Sequence, residues 1–137
     1  MTQKLLTSLM ILLILAMTGC ADREQQSIEL VKKGKKKLSM GLNDQALEYF
    51  DDAIKKNNEN HEAWHFRGSC KVSLGLPLEG IPDFGKAIEL KPDYAPAWYN
   101  RGLAWFYLGE QQKACEDWKQ AEALGYPNIG DKTRHCR

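Results

Sequence analysis

The sequence predicts an all-α repeat array, and three observations carry that expectation. Trp64 and Trp98 stand 98 − 64 = 34 residues apart inside near-copies, His61-Glu62-Ala63-Trp64-His65-Phe66-Arg67-Gly68 and Ala95-Pro96-Ala97-Trp98-Tyr99-Asn100-Arg101-Gly102. Columns of small and aromatic residues recur at the same period: Ala46, Gly80 and Ala114; Phe50, Phe84 and Trp118; Ala53, Ala87 and Ala121. A fixed period of this size makes each unit hide its apolar face on the next. Such arrays present a surface rather than house a reaction. The chain is one domain long. From Cys20 onward its 18 basic residues face 18 acidic ones, because Lys4 is the only charge before that point. No global field draws it to nucleic acid.

The first nineteen residues read as a targeting segment outside the fold. Lys4 gives the positive start, and Leu5 to Ala16 is apolar apart from Thr7 and Ser8. A core of roughly 12 residues suits a signal and is short for a bilayer span. Met17-Thr18-Gly19-Cys20 follows, and it resembles the lipobox of bacterial lipoproteins. That resemblance implies lipidation at Cys20 through its thiolate. It also implies a membrane partner through the anchor, and a place in the bacterial cell envelope. Ala21 after the Cys favours the outer membrane, facing the periplasm. Residues 20–26 are expected to be a short polar link of at most about 20 Å.

The repeat resembles the tetratricopeptide family, whose unit is two antiparallel helices, A and B. Trp64, Gly68, Leu74-Gly75, Gly80, Phe84, Ala87 and Pro92 fall on its key positions in residues 61–94. Trp98, Gly102, Trp105, Leu108-Gly109, Ala114, Trp118 and Ala121 do so in residues 95–128. A degenerate first copy, residues 27–60, keeps Leu30, Gly34, Gly41, Ala46, Phe50 and Ala53. The resemblance implies three helical hairpins in a short right-handed superhelix, with residues 129–137 as a capping tail. Gly34, Gly68 and Gly102 would let the two helices of a unit approach. Gly41, Gly75 and Gly109 would end helix A, and Pro92 would end a helix B. Pro96 is harmless in a first turn. Pro82 should make its helix start late or bend.

Helix A then lines a concave side, where Lys35, His65, Ser69, Tyr99, Leu103 and Phe106 are the candidate peptide-binding residues. Apolar side chains of a partner would meet Tyr99, Leu103 and Phe106, while Lys35 and His65 would meet acidic or polar groups. These aromatics could equally complete a small core. The Lys/Asn/Arg set with which relatives clamp a terminal carboxylate is not visible. His61-Glu62-Ala63-Trp64-His65 spells the H-E-x-x-H string of zinc hydrolases. It opens a helix of the repeat, lacks a third ligand at suitable spacing, and is read as structural. No catalytic residue, metal, cofactor or small-molecule substrate is expected.

Cys115 lies where the last helix B would face a further unit, and Cys136 lies in the tail. Either they bond and fasten that tail, or they are two free thiols. Lys32, Lys33, Lys35, Lys36 and Lys37 form either a solvated face or a contact for anionic headgroups. The function expected is a membrane-anchored adaptor that captures a protein or peptide partner. The alternative is a passive structural envelope lipoprotein.

Overall fold

The computed structural model describes residues 2–134 and 136, with side chains left undescribed at 2–9 and 11–18. The side-chain basis of the signal reading, and His135 in the tail, therefore lie outside the described residues. Seven helices follow in chain order among the described residues: α1 (Thr2–Ser39), α2 (Asn43–Lys56), α3 (His61–Ser73), α4 (Pro77–Leu90), α5 (Ala95–Tyr107), α6 (Gln111–Ala123) and α7 (Gly130–Arg134). The hairpins α1–α2, α3–α4 and α5–α6 pack in sequence. Each helix also touches its neighbour in the next hairpin, and α7 closes on α6.

The hairpins turn in one way. Gly41, Gly75 and Gly109 adopt φ of 73°, 80° and 79°, values open to glycine at little cost. After each, an N–H reaches back over the helix end: Leu42 to Lys37 O, Leu76 to Lys71 O and Glu110 to Trp105 O, at 3.1, 2.9 and 3.0 Å. This satisfies carbonyls that the helix end would otherwise orphan. Gly125, at φ 83°, ends α6 likewise, with Tyr126 N–H on Ala121 O at 2.9 Å.

Inside each hairpin a glycine meets an aromatic ring. A Cβ on Gly34 would lie 2.6 Å from Phe50, and one on Gly102 would lie 2.6 Å from Trp118. On Gly68 it would crowd both Phe84 and the Gly80 carbonyl, each at 3.0 Å. Phe50, Phe84, Ala53, Ala87 and Ala121 are fully buried. Trp64 and Trp98 are half-covered, and their Nε1–H groups donate to Asn58 O and Pro92 O at 2.8 and 2.9 Å. Arg67 lies over Trp64 and binds buried Asp83 through two nitrogens; Arg101 does the same with Trp98 and Asp117. The 34-residue period is thus a period of contacts as well as of letters.

The first unit is fastened by polar bonds rather than by a tryptophan. Buried Ser27 donates to Ala53 O at 2.9 Å and accepts from the Asn60 side chain at 2.9 Å. Asn60 also caps α3, accepting from Glu62 N–H and Ala63 N–H, which gives the first turn of that helix the partner it needs.

Two expectations are corrected. Residues 20–26 form no extended link; they continue α1. No Gly or Pro interrupts Ala21-Asp22-Arg23-Glu24-Gln25-Gln26, and Gln26 donates one turn back to Asp22 at 2.7 Å. Nor does α4 start late: it begins at Pro77 and runs through Pro82. Pro77 in the first turn has no N–H to lose. The carbonyl that Pro82 leaves free is that of Leu78, and both residues are exposed, so water replaces the missing bond.

At the far end Cys115 and Cys136 are disulfide-bonded across a separation of 21 residues, a closure worth about 3 kcal/mol on chain-entropy grounds. Ile129 is buried against α6, and Lys132 lies over the Trp118 ring. Residues 129–134 and 136 cover the end by these contacts. Cys70 is fully buried, and burial pushes its thiol up to about 11; it is a small core residue.

Candidate binding face

The six candidate residues come from equivalent turns of successive A helices, α1, α3 and α5. The structure does not gather them into one groove. An open crevice of about 200 Å³ lies between α3 and α5, walled by Ser69, Val72, Ser73, Phe84, Asn100, Leu103 and Tyr107. Ser69 and Leu103 line it. Lys35 stands apart, in a wider cleft of about 430 Å³ between α1 and the start of α3, with Lys32, Glu59, His61 and Glu62. Its ammonium lies 3.8 Å from Glu62 and 4.7 Å from the centre of the Phe66 ring.

His65 is a correction. Only 4% of it is exposed, so it cannot greet an acidic ligand on the surface. Asn100 Nδ2–H donates to its Nε2 at 2.8 Å, and Tyr94 Oη lies 3.4 Å from its Nδ1. With Nε2 accepting, the proton sits on Nδ1. Phe66, Tyr94 and Phe84 pack around the ring. Burial, then the charges of His61 and Lys35, push its pKa down to about 4, so it is neutral at physiological pH. Burial likewise raises Tyr94 to about 12.

Tyr99 and Phe106 also differ from expectation. Tyr99 stacks on Tyr126 with ring centres 4.3 Å apart, covered by the segment after α6. Phe106 leans over Trp118 at 5.7 Å and remains 48% exposed at the end of the array. The cause is helical geometry. The row His65–Ser69–Val72 in α3 faces α5; in the equivalent row of α5, Tyr99 and Phe106 turn toward Tyr126 and Trp118, where a fourth hairpin would stand, while Leu103 still reaches the crevice. The wall of the open face lies one residue further round, at Asn100, Ser73 and Tyr107. Sequence reasoning missed these three. Asn100 was detectable, because a polar amide directly after Tyr99 on a helix bearing Trp98 and Leu103 needs a partner.

The H-E-x-x-H string holds no metal-binding geometry. Both His65 ring nitrogens are engaged, and His61 packs edge-on to Tyr94 with centres 4.8 Å apart. Among the described residues no group of three or more His, Cys, Asp and Glu is placed to hold a metal ion. No helix of the described residues is long and apolar enough to cross a membrane.

Comparison with known proteins agrees with this architecture. Residues 61–94 match the family model described as tetratricopeptide repeat, and residues 43–70 match that of the protein prenyltransferase alpha subunit repeat. No curated protein matches the chain. Among solved structures, the first TPR of Spaghetti (RPAP3) bound to the HSP90 peptide SRMEEVD is similar, with TM-score 0.78 and 23% identity. That match covers 82% of this chain and 91% of the other. The Arabidopsis OM64 TPR domain has TM-score 0.79 at 21% identity, covering 84% and 97%. The MamA protein has TM-score 0.73 at 26% identity, covering 82% of this chain and 62% of its own. With one repeat matched in sequence and three stacked hairpins matched in shape, the chain has the fold of tetratricopeptide-repeat domains.

Proposed function

We propose that this protein is a membrane-anchored adaptor of the bacterial cell envelope, capturing a protein or peptide partner on its concave side. The observation that carries the reading is the crevice between α3 and α5. At about 200 Å³ it is smaller than the usual small-molecule site, yet it can take one or two side chains of a partner. Val72, Leu103 and Tyr107 offer it an apolar wall, and Ser69, Ser73 and Asn100 offer hydrogen bonds. Similar domains have been solved with HSP90 and HSP70 peptides bound, which supports peptide capture as the mode. The partner differs in kind, because the cations of a carboxylate clamp do not line this crevice.

Anchoring rests on the Lys4-to-Cys20 signal pattern. Cys20 is exposed, and α1 runs unbroken from it into the first unit. Seven helical residues span about 10 Å, half the reach of an extended link, so a lipid on Cys20 would hold the repeat close to the membrane surface.

The test is in-cell crosslinking of the native chain against Leu103→Arg and Ser69→Arg variants of unchanged circular dichroism. A crosslinked partner lost in both variants supports the adaptor. A chain with no partner to lose is a passive structural lipoprotein, and the reading fails. Palmitate labelling that survives Cys20→Ala would remove the anchor.

A further inference from the structure

Eight of the ten exposed large apolar side chains among the described residues lie on or immediately beside three turns, those joining α1 to α2, α3 to α4 and α5 to α6. Met40, Leu74 and Leu108 repeat there at the period of the fold, 60%, 36% and 39% exposed. Leu42 follows in the first turn, and Leu76 and Leu78 in the second. Phe106 and Tyr107 precede Leu108 in the third. Stacked hairpins set these turns side by side along one edge, at the opposite end of the hairpins from the start of α3 and α5.

Leu42, Leu76 and Leu78 are not called for by the repeat, unlike Leu74 and Leu108. Leu42 and Leu76 occupy the N-cap positions of α2 and α4, and neither helix has a side-chain cap bond. A Ser, Asp or Asn there would stabilise each helix by about 1 kcal/mol. The chain carries exposed leucine instead, at two equivalent positions 34 residues apart.

We infer that this edge is a dimerisation surface and that its occupant is the same edge of a second copy of this chain. The exposed parts of the eight side chains offer roughly 700 Å², more than the largest patch of an ordinary monomer and close to the ~800 Å² that each partner contributes to a stable complex. The charges beside the stripe are mixed: Lys36, Lys37 and Asp44 at the first turn, Lys71 and Glu79 at the second, Glu110 and Lys113 at the third. A rim of both signs selects no strongly charged partner, and it lets two copies of itself meet with opposite charges opposed. A symmetric pairing uses the patch on both sides. The edge shares Tyr107 with the crevice between α3 and α5, but the crevice's other walls, Ser69 and Leu103 among them, are not part of the edge, so variants there separate dimerisation from capture.

The experiment is analytical ultracentrifugation of the full chain in mild detergent, across about two decades of protein concentration. A mass of two chains is expected at the upper end. Leu78→Glu and Leu42→Glu each raise the dimer dissociation constant at least about tenfold, since each buries a charge in an apolar interface. Leu78→Ser gives a smaller shift in the same direction, and serves if a charged variant folds poorly. Leu103→Arg blocks the crevice and leaves the dimer intact. A monomer at every concentration overturns the inference. So does a dimer indifferent to all three edge variants, or a monomeric chain whose edge binds a different polypeptide instead.

Discussion

Acid should destabilise this protein through His65 before its carboxylates are called on. The free imidazole titrates at 6.5, and in the fold His65 is pushed down to about 4. Its folded pKa lies below its unfolded value, so the unfolded chain takes up the proton first. Above pH 6.5 neither state is protonated and the group is neutral to stability. As pH falls from 6.5 to 4, stability declines; below 4 both states are protonated and the loss stops growing. The gap of about 2.5 units corresponds to about 3 kcal/mol in all. His61 is also lowered, by partial burial and then Lys91, and adds a smaller loss of the same sign. The groups facing His65 are Asn100, Tyr94, Phe66 and Phe84, with Lys35 and His61 nearby; none offers it a counter-charge. Urea unfolding followed by circular dichroism at pH 7.5, 6, 5 and 4.5, at constant ionic strength, reads the slope. His65→Gln should be less stable at pH 7.5 and should lose most of the slope. A native protein with a flat profile from pH 6.5 to 4.5, or a variant that keeps the full slope, would refute the burial on which this rests.

Two further outcomes follow from the repeat contacts. Gly102→Ala places a methyl 2.6 Å from Trp118, whose ring is buried and bonded to Tyr99 O; thermal unfolding should show a loss of about 1–3 kcal/mol. Gly85 stands where Asp51 stands one repeat earlier. Asp51 gives Arg67 a second carboxylate at 2.9 Å, whereas Gly85 has no side chain to offer Arg101, and a Cβ there would lie 3.9 Å from Arg101 Nη1 without a clash. Gly85→Asp should therefore stabilise by about 0.5–1 kcal/mol, and a neutral or negative shift in unfolding midpoint counts against the assigned register.

The fold was legible because its determinants are local and repeated. A glycine that must lie under a ring, an alanine beside it and a glycine that must turn with positive φ each leave a letter at a fixed spacing. The binding face was less legible. Spacing along α3 and α5 tells which residues share a row, but which row is open depends on where the next helix sits. A rotation of one residue moved the open wall from Tyr99 and Phe106 to Asn100 and Tyr107. His65 shares its helical row with Ser69 and Val72, which reads as a groove row; its burial depends on Tyr94 and Asn100, 29 and 35 residues away. Residues 20–26 read as a link by their polarity, yet Ala, Arg, Glu and Gln are good helix formers, and the segment continues α1.

The ends of the array bear most directly on its use. A repeat stack has two faces that further units would cover, and this chain treats them differently. The C-terminal one is closed by Ile129, Tyr126 and the Cys115–Cys136 bond, so elongation by another hairpin is blocked. The N-terminal one is covered by α1, which carries Cys20 midway along its length. The concave crevice and the apolar turn edge are the sides that offer unfilled apolar surface, and they meet at Tyr107. A variant that removes one while sparing the other, Leu103→Arg against Leu78→Glu, is therefore the sharpest way to learn which surface a partner uses.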